Sequence, residues 1–212
     1  MHIPDGFLNV ATVATTCVVS VGGVGNAVRL ANKKLREKHV PMMGVLAAFI
    51  FAAQMLNFPI AGGTSGHLIG AALAAILLGP WASVLIMSCV LIAQCLIFQD
   101  GGLLALGANI FNMGIVASFS GYYLYRLATS FVGSSRRGKL IGGFVSAWGS
   151  VLLASIVCAI ELTVSGASPI MVVLPAMAGI HALIGIGEGL ITAAVISLVL
   201  ATRADLLELQ KI

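Results

Sequence analysis

The sequence predicts an all-α membrane protein: a bundle of about seven transmembrane helices, N-terminus outside and C-terminus cytoplasmic. Three observations predict it. Of the 212 residues, 59% are apolar and only 8% charged, with mean hydropathy +1.09, where soluble domains carry roughly 25% charged residues. Apolar runs of spanning length recur along the whole chain, so residues 1–212 read as a single transmembrane domain with no room for a separate soluble one. Finally, the 11 basic residues fall at three places only: Arg29 to Lys38, Arg126 to Lys139, and Arg203 with Lys211.

Seven apolar segments are read at about 7–31, 41–57, 66–79, 81–98, 105–127, 139–164 and 178–202. Pro41 and Pro80 suit the first turn of a helix, and Gly79-Pro80 breaks the third segment from the fourth. The third segment gives only roughly 21 Å of helix at 1.5 Å per residue, against a hydrocarbon core of ~30 Å. It is therefore expected to be incomplete, tilted, or continued by irregular backbone buried among its neighbours. With seven spans, the three basic clusters share one side of the membrane, and the positive-inside rule makes that side the cytoplasm. The net charge of +4 then reflects topology, and no nucleic-acid partner is expected.

The first stretch is not expected to be a secretory signal, because its first basic residue, Arg29, follows the apolar run instead of preceding it. Met1 is expected to stay in place. Cys17, Cys89, Cys95 and Cys158 lie in apolar segments with no CxxC pair and are expected to be buried small hydrophobes.

The start Met1-His2-Ile3-Pro4-Asp5-Gly6-Phe7 concentrates nitrogen donors. The α-amine of Met1, the amide of His2 and an imidazole nitrogen of His2 close two fused chelate rings once the amide loses its proton. A fourth nitrogen from elsewhere completes a square that suits Ni(II), Cu(II) and low-spin Co(II) better than Zn(II), Mg(II) or Ca(II). An incidental histidine on a frayed terminus is the plainer alternative.

Sorted by depth, the polar residues gather in the outer half: Asp5, Gln54, Asn57, Thr64, Ser65, His67, Gln94, Gln99, Asp100, Asn109, Asn112, Glu161 and His181. Glu188 follows His181 by two turns on the same helix face. Polar groups at membrane depth usually face a cavity or one another, so this one-sided gathering predicts an outward-facing binding site with a closed floor. The glycine-rich connection Asn57 to Gly66 delivers His67 to the side that holds His2, which favours ligation over a helix contact. Gln99 to Asn109 is similarly glycine-rich, and Asn109 and Asn112 are expected either to orient imidazoles through their second nitrogens or to serve as turn and interhelical polar contacts.

These residues carry a resemblance. MHIPDGF, NFPIAGGTSGHLIG, QCLIFQDGGLLALGANIFNM and HALIGIGEGLIT occur in order from Met1 to about residue 200. They resemble the substrate-binding (S) membrane subunit of energy-coupling-factor cobalt/nickel transporters, the CbiM/NikM type. The resemblance implies a metal held in a square plane by the amine of Met1, the amide and imidazole of His2, and the imidazole of His67. It also implies a transmembrane coupling (T) subunit, a pair of cytoplasmic ATPases, often a small accessory membrane protein, and a multi-pass location in a prokaryotic cell membrane. Pro4-Asp5 is more similar to nickel members than to cobalt members. Asp100, Asn109, His181 and Glu188 are the residues expected to support the ligands. Pro4, Asp5 and Gly6 are expected to form the turn that folds residues 1–3 into the bundle mouth. Ni(II) or Co(II) is then cargo. The chain contains no GxxxxGK[ST] ATP-binding motif, and no enzymatic activity is expected.

Two rival readings differ in class. Gly63-Thr64-Ser65-Gly66 matches the GxSG motif of rhomboid intramembrane proteases, with His181 as base to Ser65; that reading leaves Met1-His2 and His67 without a role. A self-sufficient secondary permease would be expected to show internal repeats, and none is found.

Overall fold

A computed structural model describes residues 1–34, 39–61 and 64–206. Part of the first basic cluster (35–38), Gly62 with Gly63, and Lys211 lie outside the described residues.

The elements run α1 Val10–Lys34, α2 Val40–Gln54, β1 Phe58–Ile60, β2 Thr64–Gly66, α3 Ala71–Leu78, α4 Pro80–Phe98 and α5 Leu106–Asn109. A π-helical stretch Ile110–Val116 leads without a break into α6 Ala117–Val132, and α7 Arg136–Val164 and α8 Ile170–Thr202 follow. Among the described residues seven helical segments thus match the seven apolar segments, with α5, the π stretch and α6 forming one. Among the described residues four helices are long and apolar enough to cross a membrane: Val10–Lys33, Pro80–Phe98, Arg136–Val164 and Ile170–Thr202. The helices turn large apolar residues outward, Phe131 at 82% exposure among them, which a membrane protein's lipid-facing surface does and a soluble one avoids.

Local chemistry sets the boundaries. Asn9 caps α1, its Oδ1 accepting Thr12 N–H at 2.8 Å. Pro41 and Pro80 sit in the first turns of α2 and α4, as expected. Gly79, at φ +86, makes the break between α3 and α4 that a side chain would strain. Helix α3 has only eight residues, all buried, and is preceded by extended and irregular backbone. This is the buried, irregularly continued third segment that the sequence admits. The glycine-rich connection ahead of it is more regular than expected: β1 and β2 pair antiparallel, Phe58 facing Gly66 and Ile60 facing Thr64.

Two expectations need correction. The last helix begins at Ile170, not near 178, and runs through Pro175. Pro169 suits a helix start, and the helix continues past Pro175 because its long apolar face packs against α7. Close approach there depends on small residues: a Cβ on Gly189 would lie 2.7 Å from Phe144. Of the four cysteines, Cys95 and Cys158 are buried but Cys17 and Cys89 are exposed. An apolar segment facing lipid presents its small hydrophobes outward as readily as inward.

The helix ends sort the chain into two poles. Asn9 Nδ2 donates to Val164 O at 3.1 Å, joining the start of α1 to the end of α7. At the other pole Arg136 donates to Ser197 Oγ at 3.1 Å. The site lies at the first pole. Met1 and Ile3 belong to the same buried apolar core as Ile50, Ile69, Met87, Met113, Leu162 and Met177.

Candidate metal centre

The N-terminal tail is threaded into the bundle and held there by its backbone. Gly6, at φ +88, turns the chain so that residues 1–5 lead back inward. The Asp5 carboxylate accepts the amides of Leu103, Leu104 and Ala105 at 3.0, 2.8 and 3.2 Å. Ile3 is bracketed by Asn109, whose Oδ1 accepts Ile3 N–H at 2.8 Å and whose Nδ2 donates to Ile3 O at 3.2 Å. Gly102 N–H adds a bond to Ile3 O at 2.9 Å. Glycine is required at 102, because a Cβ there would stand 2.3 Å from the Asp5 backbone nitrogen. Thr64 Oγ1 donates to His2 O at 3.2 Å from the opposite side.

These bonds fix a compact group of nitrogens. The Met1 amine lies 2.7 Å from His67 Nε2. It also donates to the backbone oxygen of Ser65 and, at 3.2 Å, to Ser65 Oγ. The His2 amide donates to the same hydroxyl at 3.1 Å. The rings of His2 and His67 stack with centroids 4.6 Å apart and planes 30° from parallel. Met1, His2 and His67 are 0%, 4% and 1% exposed, so the group is sealed from solvent. Burial pushes the Met1 amine down to about 5, with Cys158 and Asp100 opposing. Burial also pushes His2 down to about 3, helped by the nearby terminal amine and opposed by the bond to Gln94. Uncharged nitrogens with free lone pairs are what this environment favours.

Both imidazoles are oriented through their second nitrogens. His67 Nδ1 faces the carbonyl of Leu68 at 2.7 Å, an acceptor only, so Nδ1 carries the proton and Nε2 keeps its lone pair. His2 Nε2 faces Gln94 Oε1 at 3.0 Å. Its Nδ1 is buried without a hydrogen bond, although Asp100 Oδ1 stands 3.4 Å away. Among the described residues no three His, Cys, Asp or Glu side chains form a metal-binding group.

Of the four expected supporting residues, Asp100 and Asn109 lie against the tail, Asp100 tied also to Asn57 Nδ2 at 2.8 Å. Glu188 acts further off, accepting the amides of Ile69 and Gly70 at 2.6 and 2.8 Å and so anchoring the strand of chain that carries His67. His181 Nδ1 bonds Met177 O at 2.8 Å in its own helix, and its Nε2 is buried without a partner. Of the two roles open to Asn109 and Asn112, orienting an imidazole or joining segments by polar contacts, both take the second. Asn109 holds Ile3, and Asn112 donates to Glu161 at 2.6 Å. Gln94 and Ser65, counted among the outer polar residues but given no role of their own toward the imidazoles or the amine, make the contacts at the centre. The serine-protease reading finds no Ser65–His181 hydrogen bond among the described residues, and the bonds of Ser65 run to Met1 and His2.

Residues 2–206 match the family model for CbiM, described as the cobalt uptake substrate-specific transmembrane region. The chain belongs to the CbiM family. Relatives of this chain include a protein of Archaeoglobus fulgidus named for fused nickel transport (NikMN), 46% identical over 98% of this chain and 68% of that protein. The cobalt transport protein CbiM of Sorangium cellulosum is 30% identical over 98% of this chain and 95% of its own length. A crystal structure titled as a truncated transition metal transporter superposes with TM-score 0.83 at 38% identity, covering 95% of this chain and 99% of that one. Membership in this family of metal transporters, together with the apolar helices, makes the chain a multi-pass membrane protein.

Proposed function

We propose that this chain is the substrate-capture subunit of an ATP-driven energy-coupling-factor importer, and that it takes Ni(II) or Co(II) from outside the cell into a square of four nitrogens. The donors are Met1 N, His2 N, His2 Nδ1 and His67 Nε2. One observation carries the reading, the 2.7 Å separation of Met1 N and His67 Nε2. Adjacent corners of a square with metal–nitrogen bonds of ~2.0 Å stand about 2.8 Å apart. His2 supplies the two remaining corners, since its amide and Nδ1 close a five-membered ring with the amine and a six-membered ring through its own side chain.

The chemistry follows from the donors. A divalent ion exchanges its water shell for four nitrogens and the His2 amide loses its proton, helped by the charge of the ion. The bound unit then carries about one net positive charge instead of two, which lowers the desolvation penalty of burial. Asp100, close to the His2 ring, offsets the charge that remains. Ser65 Oγ, which accepts from both the amine and the amide, keeps the two nitrogens in register for the incoming ion.

Energy comes from partners in this reading: a transmembrane coupling subunit and a cytoplasmic ATPase pair, often with a small accessory membrane protein. The metal site lies at the outer pole in this reading, and the pole carrying Arg29, Arg126, Arg136, Arg137 and Arg203 faces the cytoplasm. Two measurements test it. Equilibrium dialysis with Ni(II) and Co(II) should give one metal per chain. Cells expressing the chain should accumulate metal only when the coupling subunit and ATPases are also present. Concentrative uptake by the chain alone would favour the stand-alone permease instead.

A further inference from the structure

We infer that Gln94 is a positioning residue that sets the ring tautomer of His2 and thereby leaves Nδ1 open to a metal. The inference rests on the metal-binding reading above.

Only one His2 tautomer closes the chelate. A metal on the His2 amide meets Nδ1 across a six-membered ring, whereas Nε2 lies on the far edge of the imidazole and cannot share a planar chelate with its own amide. The His2 ring is flanked on both edges by groups from the end of α4. Gln99 adopts the left-handed conformation at φ 54, and Asp100 N–H bonds back to the Gln94 carbonyl at 3.1 Å. This tight turn brings the side chains of Gln94 and Asp100 to opposite edges of one imidazole. Gln94 Oε1 is 3.0 Å from Nε2, and Asp100 Oδ1 is 3.4 Å from Nδ1 with no hydrogen bond formed.

The two partners favour opposite tautomers. An amide oxygen accepts only, so a ring bonded to it carries its proton on Nε2. A carboxylate alone would draw the proton to Nδ1 and close the position the metal needs. Gln94 is entirely buried, so no water competes for Nε2, and its bond is the one with hydrogen-bond geometry. Gln94 and the Leu68 carbonyl therefore play matching roles, each accepting the proton of one ring nitrogen and leaving the other nitrogen of that ring with its lone pair.

The test uses the full chain, ¹⁵N-labelled at histidine, with Gln94→Leu and Gln94→Glu variants and Ni(II) as probe. In the metal-free wild type the ¹⁵N spectrum should report His2 protonated at Nε2. Gln94→Leu should move it toward the Nδ1-protonated form and weaken Ni(II) binding about 10–100-fold. Saturating Ni(II) should still restore the planar d–d absorption, because the four ligands are intact. Gln94→Glu, which keeps an acceptor at the same place, should retain both the tautomer and the affinity, and so guards against a merely misfolded leucine variant. A wild-type His2 protonated at Nδ1, or a Gln94→Leu protein with unchanged tautomer, would overturn the inference. If the tautomers behave as stated but Ni(II) does not bind the wild type, the role of Gln94 stands and the transport reading falls.

Discussion

The amine of Met1 and Nε2 of His67 lie 2.7 Å apart across 66 positions of sequence. The contact is buried, and the tail that makes it is seated by hydrogen bonds from Thr64, Ser65, Gly102 and Asn109. A terminus so thoroughly tied down is unusual, because chain ends generally fray. Here Met1 and Ile3 form part of the hydrophobic core, with His2 buried between them.

His67→Ala removes one corner of the square while leaving the tail's backbone bonds in place. Ni(II) affinity should fall by more than about 100-fold, beyond the usual loss for an outer supporting residue, while thermal unfolding in detergent changes little. Titration calorimetry and a melting curve check the two halves of that statement.

Proton release offers a separate check. Burial lowers the Met1 amine from 8.0 to about 5 and His2 from 6.5 to about 3. At pH 7 both are already unprotonated, so metal binding should release about one proton, that of the His2 amide. Calorimetry in buffers of different ionisation enthalpy should find that value, where unperturbed groups would bring it to about two or more. For folding, the sign is fixed by the unfolded chain holding more protons below these ordinary values. Stability from the amine is complete above pH 8 and lost as pH falls toward 5; that from His2 is complete above 6.5 and lost toward 3.

Glu188 should matter for stability more than for ligation. Its carboxylate satisfies the amides of Ile69 and Gly70, and Glu188→Ala leaves both buried without an acceptor. A loss of about 3 kcal/mol is expected, with Glu188→Gln intermediate because it keeps one acceptor oxygen. Denaturation of the metal-free protein measures the difference.

Gly102→Ala should unseat the tail. The added Cβ would meet the Asp5 backbone nitrogen at 2.3 Å, and backbone does not yield as a flexible side chain does. Overpacking of this kind costs about 1–3 kcal/mol, and Ni(II) affinity should drop at least about tenfold as the donors lose register. A melting curve and a Ni(II) titration on the same preparation measure both.

Much of the fold was legible because membranes impose simple rules. Apolar runs marked the seven helical segments, and Pro41, Gly79 and Pro80 marked boundaries. What escaped depends on tertiary packing. The last apolar segment was read from about 178, yet α8 starts at Ile170 and passes through Pro175. The π-helical stretch 110–116 has no signature in hydrophobic periodicity. Residue chemistry raised Met1 and His2 as nitrogen donors and set His67 on the same side, the resemblance implied the full set, and the structure brings the Met1 amine within 2.7 Å of His67 Nε2. The orienting partners of these donors were not legible: Gln94 and Asn109 are both amides at similar depth, and only the docked tail decides that one meets a ring and the other the backbone of Ile3.

The most direct measurement compares Ni(II) binding by the chain beginning at Met1 with binding by a variant carrying one extra residue before it. The extension converts the Met1 amine into an amide and sets the new amine one residue out of register with His67. Near-complete loss of Ni(II) binding, with unfolding temperature largely kept, is the expected result. Unchanged affinity in the extended chain would contradict the terminal square of nitrogens, whatever the family to which the chain belongs.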